Sequence, residues 1–357
     1  MLLPRLSVLA VAICAACSGR AAQPLPSPAV AVQSVANATT FATLRSYRID
    51  PAKVFVAGIS SGGFFAVQMH VAHSSTFKGA AVYAGGVYYC AQNSVAVALA
   101  ACGGEGLYES TLAESEAYLD LNSSHGTIDP ESNLRGQPVY LWSGTQDTVV
   151  NQKEMIDLRT EYEHYGARVT ADFAFPAEHG WESPYGKLPC GTAASPYMIT
   201  CDAGAAPYDS EKTWLTMLLG TLKSKNRGTL HGTLLNFDQR PFGAAASNSM
   251  DTNGYVFVPR PCSQNARCSL VVAFHGCQQN QALIGNTYVT ESGIDEWADT
   301  NNVVVLYPYA IESSTVPYNP QGCWDWWGYD DPNYSLRTGT QISIVYKMVE
   351  RIMGGAI

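Results

Sequence analysis

The fold class is decided by the stretch VFVAGISSGG, residues 54–63. Its four leading apolar residues are typical of a strand buried on both faces of a parallel sheet. A glycine-rich turn follows, and a helix is expected from Phe64 to His73. Residues 58–62 match the pattern G-x-S-x-G, in which a sharp turn between strand and helix exposes a serine. Ser60 is therefore the predicted nucleophile, and the alternative is a glycine-rich turn without chemistry.

Strand and helix signals alternate outward from this turn. Strands are expected at 80–84, 139–142, 169–175, 230–237, 255–258, 270–274 and 303–307, and helices at 152–166, 210–225, 294–301 and 341–353. In an extended segment at 324–327, Trp324 and Trp326 would face one side and Trp327 the other. The alternation predicts an α/β fold, a mostly parallel sheet with helices on both faces.

A base and an orienting carboxylate are needed to activate the serine. Asp147 lies three residues beyond Gly144, after one predicted strand, and His179 lies in the loop after the next. Loops at the carboxyl edge of a parallel sheet are where catalytic groups gather. The order Ser60, Asp147, His179 is the one an α/β-hydrolase uses, so these three residues are the predicted triad. The alternatives are a helix-capping aspartate and a surface histidine.

An oxyanion hole in this fold usually follows an early strand, in an HG motif that precedes the nucleophile. Here the only fitting motif, His275-Gly276-Cys277, comes after the strand at 270–274. We interpret this order as a circular permutation of the α/β-hydrolase fold, with the joint near residues 225–228. The backbone N–H groups of Ser61 and Cys277 are then the predicted oxyanion donors, and His275 is a structural residue.

The composition narrows the class of partner. The chain has 357 residues, of which 14% are charged and 46% hydrophobic, with 20 Tyr and a net charge of -9. It is too apolar to be disordered and too acidic to favour nucleic acid. No apolar run beyond the N-terminus reaches the roughly 18 residues of a membrane span. A neutral or apolar partner is expected, with scarce charge and excess Tyr and Trp concentrated around Ser60.

The N-terminus predicts export. Residues 1–22 have the positive, apolar and small-residue regions of a signal peptide, and 23–45 form an arm or linker. One catalytic domain is expected at 46–357. Free secretion to the extracellular space or periplasm is the main expectation, and a lipid anchor at Cys17 is the alternative.

Cysteine numbers agree with export. Removal of the signal peptide lowers the count from 10 to 8, an even number. Eight cysteines allow 105 pairings, and short loops favour sequential ones. The expected bonds are Cys90–Cys102, Cys190–Cys201, Cys262–Cys268 and Cys277–Cys323. The spacings fit no zinc site, because they contain no CxxC and no paired histidines.

The motifs together resemble the extracellular poly(3-hydroxybutyrate) depolymerases for short-chain polyhydroxyalkanoates, of the circularly permuted type. Six segments carry the resemblance: IDP at 49–51, VFVAGISSGG at 54–63, SGTQD at 143–147, EHG at 178–180, HGCQQ at 275–279 and CWDWWG at 323–328. The resemblance implies a serine esterase with the same triad and oxyanion donors. It also implies that Trp326 or Trp327 contacts the polymer.

The resemblance implies the single-domain variety, because the chain ends at Ile357 without the binding domain of many bacterial members. We expect a monomer, and the triad chemistry needs no cofactor or metal. Two other functions stay open at this point. One is an esterase for plant cell-wall esters (feruloyl or acetyl-xylan) or for synthetic polyesters. The other is a non-catalytic, surface-adhering protein on a hydrolase scaffold.

Overall fold

A computed structural model describes residues 41–103 and 110–355. The strands are β1 (Ile49–Ile59), β2 (Ala80–Tyr83), β3 (Pro138–Trp142), β4 (Arg168–Asp172), β5 (Trp181–Glu182), β6 (Leu188–Pro189), β7 (Met198–Thr200), β8 (Thr233–Asp238), β9 (Asn253–Val258), β10 (Cys268–Phe274) and β11 (Val303–Tyr307). The helices are α1 (Ser61–Ala72), α2 (Val95–Val97), α3 (Leu112–Ser124), α4 (Gln152–His164), α5 (Ser210–Leu219), α6 (Arg260–Ser263), α7 (Gln281–Ile284), α8 (Thr287–Glu291), α9 (Ile294–Asn301) and α10 (Thr340–Ile352).

The central sheet has eight strands in the order β4-β3-β2-β1-β10-β11-β9-β8. The first six strands in this order, β4 through β11, pair in parallel. β9 pairs antiparallel with both of its neighbours, β11 and β8. The expected mostly parallel α/β sheet is confirmed. β1 pairs with β2 on one side and with β10 on the other, in register from Val54 opposite Leu270 to Gly58 opposite Phe274. The late HG strand thus lies beside the nucleophile strand, as the permuted order requires.

The two faces of the sheet pack into separate hydrophobic cores. Val54 and Val56 contribute to one core, and Phe55 and Ala57 contribute to the other. Successive side chains of a strand point to opposite faces of the sheet, so the apolar run of β1 is buried on both faces. Helices α1, α4 and α10 contribute to the first core, and α5 and α9 to the second. This layering fixes β1 in the middle of the protein and its carboxyl end at the rim.

Four disulfides join the described cysteines, in the sequential order expected from the sequence: Cys90–Cys102, Cys190–Cys201, Cys262–Cys268 and Cys277–Cys323. Three of them close loops of 6 to 12 residues, and the fourth spans 46. The longest-range bond connects the HG loop after β10 to the tryptophan segment. It therefore ties two predicted parts of the active site together.

The expected signal peptide at 1–22, with Cys17, and most of the arm at 23–45 lie outside the described residues. Within the described ranges, no helix combines the length and the apolar character needed to cross a membrane.

Candidate active site

Ser60 occupies a strained turn at the carboxyl end of β1. Its backbone lies at φ 55° and ψ -126°, a conformation that residues other than glycine rarely adopt. The Ser60 N–H donates to the carbonyl of Tyr83 on β2 (2.9 Å), which holds the turn against the sheet. α1 begins at the next residue, so Ser60 lies at its N-terminus. Strain of this kind persists where the surrounding structure enforces it and is frequent at functional sites.

Glycines allow the turn to pack this tightly. A Cβ atom on Gly58 would lie 2.1 Å from the carbonyl oxygen of Gly62. A Cβ atom on Gly62 would lie 2.3 Å from the carbonyl oxygen of His275. Both distances are far below van der Waals contact, and the opposing atoms are backbone. The glycines of the motif are therefore required for the turn itself and for its contact with the HG loop.

Asp147 and His179 form a buried hydrogen-bonded pair. His179 Nδ1 donates to Asp147 Oδ2 over 2.9 Å, and the side chains are only 5% and 0% exposed. The other carboxylate oxygen, Oδ1, accepts the N–H groups of Val149 (2.9 Å) and Val150 (2.8 Å). The carboxylate is thus fixed by three bonds, and the imidazole is left with Nε2 as the atom that can exchange a proton.

The loops that carry Asp147 and His179 are joined along their backbones. The N–H of Thr145 donates to the carbonyl of Phe175 (2.8 Å), and that of Gln146 to the carbonyl of Ala177 (3.1 Å). Glu178, to which the sequence reasoning assigned no role, adds a side-chain link. Its carboxylate accepts the N–H of Thr148 (3.0 Å), and the Thr148 hydroxyl donates to it as well. Its position next to the predicted base His179 was the available signal in the sequence.

Ser60 and His179 lie at the same edge of the sheet, after the parallel strands β1 and β4. No hydrogen bond joins them in the described part of the chain. When no substrate is bound, catalytic hydrogen bonds are often long, and they shorten only in the reacting complex. Ser60 is 8% exposed and His179 is 4% exposed, so both residues are largely screened from water.

The HG loop lies directly against Ser60. A Cβ atom on Gly276 would lie 3.1 Å from the Cβ of Ser60. Gln279 holds the loop: its Oε1 accepts the Gly276 N–H (2.6 Å), and its Nε2 donates to the carbonyl of Pro196 (2.8 Å). Gln279 belongs to the HGCQQ segment, but its role does not follow from the sequence. The position of Cys277 beside Ser60 thus depends on a side chain that only the tertiary structure reveals.

His275 has the structural environment expected of it. The ring is fully buried, and burial lowers its pKa to about 4, so it is neutral. Its Nε2 accepts the N–H of Ala310 (3.1 Å), while Nδ1–H donates to the carbonyl of Gly276 (2.7 Å). The ring also stacks on Tyr309 with centroids 4.9 Å apart. These contacts leave neither ring nitrogen free for proton transfer.

The orientation expected for the tryptophans is wrong. Trp324 is buried and stacks on Phe65 (4.7 Å between centroids), whereas Trp326 stacks on Phe64 (4.3 Å, 14° between planes). Trp327 packs edge-on against Trp326 (5.5 Å, 81°). The segment bends instead of running extended, so strand alternation does not apply to it. Trp326 and Trp327 consequently lie on the same side, and Trp324 packs into the core alone.

A cleft of about 690 Å³ opens beside Cys277 and the two half-buried tryptophans. The described residues that line it carry no carboxylate, amine or guanidinium group. Several apolar side chains are exposed along it, among them Val95 (56%), Leu99 (52%) and Val316 (92%). The lining also includes Tyr318, Tyr329, Pro320 and Gln321. The cleft is therefore suited to an uncharged, largely apolar chain.

The expected concentration of aromatic residues around Ser60 is met only in part. The bulkiest fully buried side chains are all Trp or Tyr, including Trp142, Trp181 and Trp214 in the second core. These residues are inside because each buries a large apolar area. The aromatic excess thus mainly builds the core, and a minority lines the cleft.

Comparisons with known proteins agree with this geometry. No family model matches the chain. The chain is 40% identical over 336 residues to a poly(3-hydroxybutyrate) depolymerase of Delftia acidovorans. The aligned region covers 92% of this chain and 65% of that protein. It is 34% identical over 328 residues to a polyhydroxybutyrate depolymerase of Talaromyces funiculosus, covering 87% and 93%. The chain therefore spans about two thirds of the Delftia relative and nearly all of the Talaromyces one.

Two solved structures have the same fold at 33% identity, and both cover 88% of this chain and all of theirs. One is the PHB depolymerase from Penicillium funiculosum, with a TM-score of 0.77. The other is a serine-to-alanine PHB depolymerase complexed with an R3HB trimer, with a TM-score of 0.79. Identity above 30% along nearly the whole length of a relative is decisive: the chain belongs to the polyhydroxybutyrate depolymerase family.

Proposed function

We propose that this chain is a serine hydrolase that cleaves the ester bonds of poly(3-hydroxybutyrate) or related short-chain polyhydroxyalkanoates. The observation that carries the proposal is the buried Asp147–His179 hydrogen bond, at the same sheet edge as the strained Ser60. Family membership favours this substrate over cell-wall esters and synthetic polyesters. The buried pair also argues against a non-catalytic adhesion protein.

The chemistry follows from the three side chains. Ser60 Oγ attacks the ester carbonyl while His179 Nε2 takes its proton, and Asp147 holds the imidazole and stabilises its charged form. An ester bond to Ser60 forms as the alcohol end of the polymer leaves with a proton from His179. Water, activated by the same imidazole, then releases the 3-hydroxyacyl product and restores Ser60. Acyl transfer of this kind needs no metal or cofactor.

The oxyanion is assigned to the backbone N–H groups of Ser61 and Cys277. Ser61 begins α1, and the Cys277 loop packs against Ser60 through Gly276. Preorganised donors of this kind are worth about 3 kcal/mol each in comparable sites. The Cys277–Cys323 bond supports the loop from the side of the tryptophan segment.

Trp326 and Trp327 are assigned to polymer binding. Their rings line the uncharged cleft that begins at Cys277, next to the nucleophile. An aliphatic polyester has methyl and methylene groups to cover and no charge to neutralise. Flat aromatic surfaces cover such groups at a small cost in side-chain entropy, because an indole has only two rotatable bonds.

Export and a monomeric state complete the proposal. Disulfides persist in oxidising compartments and are rare in the cytosol, so four of them support secretion. A signal peptide at 1–22 is the expected route.

Activity loss in Ser60→Ala tests the proposal. Purified Ser60→Ala should stop clearing a polyhydroxybutyrate suspension and should no longer react with a fluorophosphonate. Ser224→Ala, at an exposed serine outside the site, is the matched control and should keep both properties. Clearing by Ser60→Ala at the parental rate would refute the mechanism. Parental hydrolysis of a feruloyl ester with no release from polyhydroxybutyrate film would refute the substrate.

A further inference from the structure

A buried carboxylate organises the loop that carries the two cleft tryptophans. Asp325 is 2% exposed, and its two oxygens accept four backbone N–H groups of the same loop. Oδ1 accepts those of Gly328 (2.7 Å) and Tyr329 (3.0 Å). Oδ2 accepts those of Asp330 (3.1 Å) and Asp331 (3.1 Å). The chain therefore curls around one side chain between residues 325 and 331.

The curled loop is fastened to the rest of the domain from beneath. The Asp325 N–H donates to Gln341 Oε1 on α10 (2.9 Å). Gln341 Nε2 in turn donates to the Tyr329 hydroxyl (2.9 Å) and to the carbonyl of Asn248 (2.8 Å). These bonds join the loop to a long helix and to the segment before β9. The position of the loop is thus set by the core and not by the cleft.

The same turn brings the loop against the opposite wall of the cleft. Gly328 has φ 82°, and a Cβ atom there would lie 2.2 Å from Asn93 Oδ1. Asn93 Nδ2 donates to the carbonyl of Pro332 (3.0 Å). Asn93 belongs to the loop closed by the Cys90–Cys102 bond, which also carries the exposed Val95. The turn at Asp325 therefore sets the spacing between the two walls.

The indole geometry depends on this turn. Trp326 and Trp327 lie between Asp325 and its first backbone donor, Gly328, and the bend places both rings on the cleft side. Trp326 then stacks on Phe64, four residues after the proposed nucleophile. We infer that Asp325 is a positioning residue, which sets the specificity for polymeric and oligomeric esters by holding Trp326 and Trp327 in the cleft. This inference rests on the proposed function.

Asp325→Asn is the informative variant. An amide of the same shape keeps one acceptor oxygen but turns its NH₂ group toward two backbone donors, so two of the four bonds are lost. We expect the KM for a 3-hydroxybutyrate trimer to rise about 10- to 100-fold, because displaced indoles no longer cover its apolar groups; this rise corresponds to about 1.4–2.8 kcal/mol of lost binding. The kcat/KM for p-nitrophenyl acetate, too small to span the cleft, should stay within about twofold of the parent.

Asp330→Asn is the matched control. It replaces a carboxyl group of the same loop, and the buried Oδ2 of Asp330 accepts no hydrogen bond from the described residues. The control changes one carboxyl group to an amide outside the Asp325 hydrogen bonds, and it should keep parental constants for both substrates. A second readout is near-ultraviolet circular dichroism, because two indoles edge to face at 5.5 Å give a coupled signal. The signal should weaken in Asp325→Asn and persist in Asp330→Asn.

The outcomes separate this inference from the proposed function. An unchanged trimer KM, or an equal loss on both substrates in a folded variant, would overturn the role of Asp325. If the parent cleaves neither trimer nor polymer, the proposed function fails, and the dichroism still decides whether Asp325 positions the indoles. Should Asp325→Asn not fold, Asp325→Glu replaces it, because it keeps the carboxyl group but displaces it by one methylene, and parental values in that variant would overturn the inference.

Discussion

Replacing Asp147 by asparagine perturbs one proton and little else. Oδ1 of Asp147 accepts the N–H groups of Val149 and Val150, so in the variant the amide oxygen stays at that position. The NH₂ group then points at His179 Nδ1, 2.9 Å away in the parent. A rotated amide would instead place its NH₂ group against the N–H groups of Val149 and Val150, where donor would face donor. Nδ1 must therefore accept, and the imidazole proton moves to Nε2.

A histidine protonated at Nε2 cannot take the proton of Ser60. The corresponding change in a serine protease triad lowers kcat about 10⁴-fold, and we expect the same order here. That factor corresponds to about 5.4 kcal/mol of lost transition-state stabilisation. Since the variant preserves the shape and the two backbone bonds, its melting temperature should stay near that of the parent.

The assay is kcat on p-nitrophenyl butyrate, with clearing of a polyhydroxybutyrate suspension alongside. Glu178→Gln is the control, because Glu178 accepts hydrogen bonds from Thr148 and from the backbone N–H of His179 (3.2 Å) but none from the imidazole ring. It should stay within about tenfold of the parent, as an exposed hydrogen bond is worth about 1 kcal/mol. Retention of more than a tenth of the activity by folded Asp147→Asn would refute the reasoning, as would an equal loss in Glu178→Gln.

Three further variants test the supports of the site. Burial raises the pKa of Glu154 from 4.5 to about 9, and its carboxyl proton donates to Cys90 Sγ (3.2 Å), which has no hydrogen in the disulfide. The folded form keeps this proton where the unfolded chain releases it, so stability falls as pH rises from about 4.5 to 9. Glu154→Gln should flatten that slope in urea denaturation at pH 5, 7 and 9, and an unchanged slope would contradict the assignment. His275→Phe leaves the N–H of Ala310 without its acceptor, and the free energy of unfolding should drop by about 1–3 kcal/mol in urea titrations. Gly62→Ala puts a Cβ 2.3 Å from the carbonyl oxygen of His275, so kcat on a short ester should fall by about 100-fold or more, and parental kcat would show that the turn can relax.

Much of the site was predictable because its signals are local. A strand, a glycine-rich turn and a helix are adjacent along the chain, so residues 54–63 predict the position of Ser60 without any long-range information. Asp147 and His179 follow from the rule that parallel strands end at one edge of a sheet. Both rules depend on backbone geometry, which the sequence pattern specifies well.

Side-chain networks between distant segments were not predictable. Gln279 holds the HG loop by reaching Pro196, and Glu178 joins two loops through Thr148. Neither partner is adjacent in sequence, and glutamines and glutamates usually face solvent. The bend at Asp325 belongs to the same class. Periodicity describes extended chain, whereas a buried carboxylate that gathers four N–H groups replaces that periodicity with a local turn.

The sequence by itself determined the α/β class, the permuted order of strands, the serine turn and the sequential disulfides expected from short loops. Each rests on pattern or spacing along the chain. Only the tertiary structure decided which tryptophans line the cleft, how the walls are held, and that most aromatic residues build the core. Trp324, Trp326 and Trp327 show the reason: burial depends on how distant elements pack, and neighbours in sequence can lie in different environments.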